Sequence, residues 1–148
     1  MTTQQILLLA IAGALALVAG AWLAPSIPLW LLARRLGCPV AFGAIVGMRL
    51  RKAPVGAIVR AAGAARAGGV ATSLDALEIH ALAGGDPEAV VTALVEARRR
   101  GMEAEFDDAA GLDLAGCDVI AVVRAGEPIK GLLGSERSAA LGDRFRKR

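Results

Sequence analysis

Few residues in this chain have the types and spacing that chemistry requires. His80 is the single histidine, and Glu78 lies two residues before it. On a helix, side chains at i and i+2 do not face each other, so the two cannot act together from one turn. His80 therefore reads as a partly exposed helix histidine rather than a ligand or general base. Cys38 and Cys117 are 79 residues apart, with no CxxC spacing, and read as unpaired thiols. Cys38 sits in a membrane-proximal stretch where a lipid could be attached, although no further signal supports that. Glu103, Glu105, Asp107 and Asp108 gather carboxylates. Their spacing does not match the D-x-[DN]-x-[DN]-G frame of a calcium loop, so they read as a solvated acidic face. Gly68-Gly69 and Gly84-Gly85 end helices, without the Lys-Ser/Thr of a phosphate loop behind them. One histidine with no supporting motif leaves no Ser-His-Asp or Cys-His arrangement to argue. The sequence thus assigns no catalytic, metal or cofactor-binding residue, and an enzyme is the weakest functional class.

The charge distribution says more. Residues 1–33 hold no Asp, Glu, Lys or Arg, whereas 34–74 hold seven basic residues and no acid. Residues 75–143 contain all 14 acids against six bases, and Arg144, Arg146, Lys147 and Arg148 close the chain. The net +3 therefore hides a strong polarity. Because the first basic cluster abuts an apolar stretch, its expected partner is an anionic lipid headgroup and not nucleic acid, at ~1 kcal/mol per basic residue near the surface. Arg34, Arg35, Arg49, Arg51 and Lys52 are the candidate lipid contacts. Trp22 and Trp30 join them as rings suited to a membrane interface.

These residues must be positioned by the elements around them. Ile6–Leu23 is an uncharged apolar run of 18 residues. As a helix it rises about 27 Å, close to the thickness of a hydrocarbon core. Ala19-Gly20-Ala21 resembles a signal-peptide cleavage site, but Met1–Gln5 has no Lys or Arg to form a basic leading region. A retained anchor is therefore expected over residues 1–33, with the downstream chain on the cytoplasmic side by the positive-inside rule. A second apolar piece with a basic collar covers 34–52, and Pro25-Ser26-Ile27-Pro28 interrupts the path to it. A single span with an interfacial or re-entrant second piece is favoured over a hairpin or two tilted spans. Arg34-Arg35 between the pieces would be costly at the bilayer centre, at ~2.5–3.5 kcal/mol each. Small residues at Ala12, Ala16 and Gly20, and at Gly43 and Gly47, have the spacing of close helix packing in lipid. Composition bias in an Ala/Gly-rich run produces the same pattern.

Residues 53–126 read as a small helical cytoplasmic module. Pro54 opens a helix to about Arg66 with Val55, Ile58, Val59 and Ala62 on one side. Thr72-Ser73-Leu74-Asp75 resembles a capping box before a helix with Leu74, Leu77, Ala81 and Leu82 on its stripe. Asp86-Pro87-Glu88 is a strong helix start, and Glu96 and Arg100 form an i,i+4 pair before Gly101. Asp107-Asp108 caps a further helix to Gly116. Val119–Val123 fits strand or helix equally by pattern. Residues 127–148 read as a loosely ordered basic tail. With aromatics at 3% and no Tyr, the core must rest on Ala, Val, Leu and Ile, and is thin. The expected fold class is mainly α: a transmembrane or re-entrant anchor followed by a small helical module.

Specific strings then come into view. They are Gly47-Met48-Arg49-Leu50-Arg51-Lys52-Ala53-Pro54, Leu74 to His80 with Leu82-Ala83-Gly84-Gly85, Val90-Val91-Thr92-Ala93-Leu94 and Asp113-Leu114-Ala115-Gly116-Cys117-Asp118-Val119. In that order and spacing, over about Pro28 to Arg124, the chain resembles the bacterial flotillin-like protein FloA family. The family has Arg where this chain has Cys117, so no charged role carries over to that position. The resemblance implies a membrane anchor and helical linker, which in the family precede a band-7 domain and a coiled coil. Both are expected to be missing from this chain, which would make it a shortened relative. It also implies a non-catalytic scaffold that self-associates, or associates with a related flotillin-like protein, and organises membrane microdomains in response to envelope stress. The other reading is a small membrane adaptor whose acidic helical module recruits a basic partner.

Overall fold

The computed structural model describes residues 2–131 and 136–147, with side chains omitted for 136–138. Among them the chain is helical, without strands: α1 (Thr3–Leu23), α2 (Ser26–Arg35), α3 (Phe42–Leu50), α4 (Val55–Ala67), α5 (Leu74–Leu82), α6 (Pro87–Arg99), α7 (Phe106–Leu114), α8 (Val119–Arg124) and α9 (Glu136–Arg144). The five-residue apolar run that pattern left open is the helix α8. Asp118 settles it, because its side chain accepts the Ala121 N–H and caps the first turn.

Local chemistry explains most boundaries. Pro28 has no N–H to return to the Ala24 carbonyl, and its ring crowds that group, so α1 and α2 are separate helices. The capping box expected at Thr72 is replaced by Ser73, whose Oγ accepts the Ala76 N–H at 3.1 Å. Thr72 Oγ1 is left buried and unpartnered. Asp86 caps α6 as expected, with Oδ1 accepting from the Glu88 and Ala89 amides at 3.0 and 3.1 Å. The α7 cap is Glu105 and not the Asp pair, which falls in the first turn and favours the positive end of the helix dipole.

The helices after α1 pack around two apolar clusters. The membrane-proximal cluster joins α2, α3 and α4 through Ala33, Ile45, Met48, Ile58 and Val59, with Leu77 and Val91 behind them. The distal cluster joins α6, α7 and α8 through Val90, Leu94, Leu112, Val119 and Val122. Helix α6 is the shared wall: Val91 serves one cluster while Val90 and Leu94 serve the other. Each such fully buried side chain contributes roughly 1.5–3 kcal/mol relative to exposure. Small residues let the helices close: a Cβ at Gly63 would lie 2.9 Å from Leu36 Cβ, so α4 can meet the end of α2 only with glycine there.

Two expectations change. The anchor drawn to residue 33 divides at Pro25, because Ser26 and Ala33 of α2 are buried in the bundle while α1 has no buried residue. Nor is the stretch after 126 simply a loose tail. Ile129 and Leu141 are buried in the distal cluster, and Phe145 packs against it.

Candidate membrane-facing site and a buried polar cluster

Among the described residues one helical stretch, Thr3–Arg35, is long and apolar enough to cross a membrane, and α1, which makes up most of it, has no buried residue. Leu17 and Val18 are 76% and 70% exposed, and the other large apolar side chains from Ile6 to Trp22 are exposed to a lesser degree. A patch of that size left in water would drive aggregation, which makes lipid the environment that satisfies it. Helix α3, at nine residues, rises only about 13 Å and is too short for a straight span.

The residues expected to contact lipid separate into two groups. Arg34, Arg35 and Lys52 are exposed. The Arg34 guanidinium lies 4.7 Å from the centre of the Trp30 ring, and Trp30 meets Phe42 edge-on at 6.3 Å. Lys52 adopts φ 60°, the left-handed position that ends α3, and is exposed. Arg49 and Arg51 are engaged within the protein. Arg49 Nη1 donates to the Trp22 carbonyl at 2.9 Å and to Ser26 Oγ at 2.6 Å, with its guanidinium 5.2 Å from the Trp22 ring. It braces the corner between α1 and α2. Arg51 Nε donates to Glu78 Oε1 at 2.6 Å, and this bond holds its guanidinium more firmly protonated than usual. Trp22 is thereby half of a corner contact, although 43% exposed.

The small-residue positions face outward. Ala12, Ala16, Gly20 and Gly43 are exposed, and a Cβ at Gly20 or Gly43 would meet nothing within 4 Å. Gly47 is half-buried beside the side chain of Arg51. Gly20 and Gly43 thus hold no packing within the described residues.

The acidic stretch has an internal cation: Lys130 Nζ lies 3.1 Å from Glu103 and 3.6 Å from Glu105, which together raise the affinity of the amine for its proton. The Gly131 N–H donates to Asp108.

A polar cluster escaped the sequence reading altogether. His80 is buried, not partly exposed, and its Nε2 lies 3.1 Å from Asp113 Oδ2. The same oxygen accepts the Asp86 N–H at 2.8 Å, while Asp113 Oδ1 takes Lys147 Nζ. His80 Nδ1 is buried without a partner. Phe106 packs edge-on against the imidazole, and a Cβ at Gly85 would overlap the ring, so the α5–α6 turn needs glycine. Asp113 falls on the buried side of α7 among apolar residues, a position where an acid is seldom placed without partners. That anomaly was the available signal. Its partners were not legible, because they come from 33 and 27 residues before it and 34 after.

No solved structure matches this chain. Over 97 residues it is 41% identical to a flotillin-like protein FloA of Dictyoglomus turgidum, covering 65% of this chain and 30% of the relative. Over 98 residues it is 39% identical to the flotillin-like protein FloA of Staphylococcus aureus strain JH9, covering 66% and 30% respectively. The chain thus spans about a third of the length of these curated relatives. A family model described as flotillin-like protein FloA matches residues 5–129. With the match covering most of the chain and an apolar helix at its head, this membrane protein belongs to the flotillin-like FloA family.

Proposed function

We propose that the protein is a non-catalytic membrane-anchored organiser that acts by self-association and by gathering anionic lipids. The observation that carries this reading is α1, an apolar helix with no buried residue joined to a compact helical module. The outward cations Arg34, Arg35 and Lys52 support the lipid part, since they are exposed in the basic stretch that follows the apolar helix. The outward small-residue face of α1, with Ala12, Ala16 and Gly20, supports self-association or association with a related flotillin-like chain. The charge asymmetry supports a cytoplasmic side for the module. Microdomain organisation and a part in envelope stress, which the family resemblance implies, complete the proposal.

The test uses the whole chain reconstituted in vesicles. Energy transfer from Trp22 and Trp30 to a labelled phosphatidylglycerol should exceed transfer to a labelled phosphatidylcholine. Replacing Arg34, Arg35 and Lys52 together by Ala should abolish the difference, at roughly 1 kcal/mol for each cation lost. In mild detergent the chain should run as large assemblies that Gly20→Leu shrinks. A monomer under those conditions, with no lipid preference, would overturn the organiser reading.

A further inference from the structure

The family match ends at residue 129, yet the chain beyond it returns to the module and is bonded to it. The Lys147 N–H donates to the Gly116 carbonyl at 2.9 Å, and the Asp118 N–H donates to the Phe145 carbonyl at 2.6 Å, forming an isolated antiparallel bridge between Cys117 and Arg146. Leu141 inserts into the distal cluster, 7% exposed. Lys147 Nζ closes the segment onto Asp113.

What lies beneath is unusual. Asp113 has a fully buried side chain, and Cys117 is 0% exposed. Gly142 passes over Cys117, where even a methyl group would sit 3.7 Å from its sulfur. Asp113 keeps its other oxygen on His80 and the Asp86 amide, so the acceptor stays organised without the covering segment. The cover rests on two backbone bonds, Leu141 with Phe145 packed beside it, a surface ion pair of Arg144 with Glu127 at 3.5 Å and a cation still 41% exposed. Segments attached this lightly open at a small fraction of the free energy of global unfolding.

We propose that residues 139–147 form a releasable strap, latched by Lys147 on Asp113, whose opening uncovers Cys117 and the Asp113 carboxylate. The strap controls access to a thiol and an anionic acceptor on a module whose remaining helices stay packed.

Alkylation of the whole chain in mild detergent reads this directly, because Cys38 serves as an internal control. Cys38 is buried in the membrane-proximal cluster, away from the strap. The rates at both cysteines are followed by mass spectrometry in the native chain, in Lys147→Ala and in Leu141→Ala. Each variant should raise the Cys117 rate by about tenfold and leave Cys38 unchanged. Electrostatics alone would do the opposite in Lys147→Ala. Burial, and next Asp113, already hold the Cys117 thiol above its usual range, and Lys147 counters them, so removing the amine from a closed strap makes the thiol less reactive. An unchanged or slower Cys117 rate overturns the strap. A rise at both cysteines overturns it as well, since the contact would then hold the whole fold together.

Discussion

Arg51 meets Glu78 beside the membrane-proximal cluster, and Lys147 meets Asp113 beside the distal one. Both pairs join a surface cation to a carboxylate at the protein interior. They differ in what stands behind the carboxylate. The Glu78 side chain keeps 9% of its surface and has Arg51 as its hydrogen-bond donor, so water and a long flexible guanidinium share its solvation. Asp113 keeps none, and it is surrounded by an imidazole, an amide and an amine. The cation of this pair is more than half exposed, so screening offsets much of the Coulomb gain at Glu78 even though the acid itself is largely covered. A fully buried acid is a different object: its partners are required by its desolvation, and the loss of one leaves a charge uncompensated. The membrane-proximal pair is a surface tie, whereas in the distal pair the acid belongs to the core, held by His80 and the Asp86 amide, and only its lysine lies at the surface.

The comparison can be broken at several points. Ile58→Ala and Val122→Ala probe the apolar clusters themselves, at about 3 and about 2 kcal/mol of lost stability. Both should lower the midpoint of one shared transition in denaturant, because α6 walls both clusters; two separated transitions would show that the clusters are independent. Asp113→Asn should be comparable, at roughly 3 kcal/mol from the lost ion pair and mismatched amide, by thermal unfolding in detergent. Glu78→Gln in the same assay should cost clearly less and should respond to salt. Equal losses for the two would erase the distinction between tie and core.

Two smaller effects sharpen it further. The Cys117 thiol is held above its ordinary value of 9.0, first by burial and then by Asp113. Its neutral form is therefore favoured in the folded state, which contributes stability below about pH 9 that is lost as pH climbs through the raised folded value. Cys117→Ala should flatten that part of the pH–stability curve, and an unchanged slope would assign it to the lysines. Lys52→Gly should stabilise the α3–α4 connection by up to about 1 kcal/mol, because only glycine adopts the left-handed turn without strain.

Sequence alone determined the elements whose causes are local. Eighteen uncharged residues make α1 whatever follows them, Asp86-Pro87 begins α6, and the arginines of 34–52 mark the collar. These rest on hydropathy, fixed proline geometry and short-range caps, all of which act within a few residues. Only tertiary structure decided how equivalent residues divide. Five collar cations look alike in sequence, yet Arg49 braces Trp22 and Ser26 and Arg51 binds Glu78, while Arg34, Arg35 and Lys52 remain outward. The basic residues near the end look like a solvated tail until Lys147 is placed on Asp113. A lone histidine looks partly exposed until α5 and α7 are packed together. In each case the deciding partner is more than 20 residues away, and a charge or ring acquires its role from the dielectric and the neighbours that packing provides, neither of which is written in the local pattern.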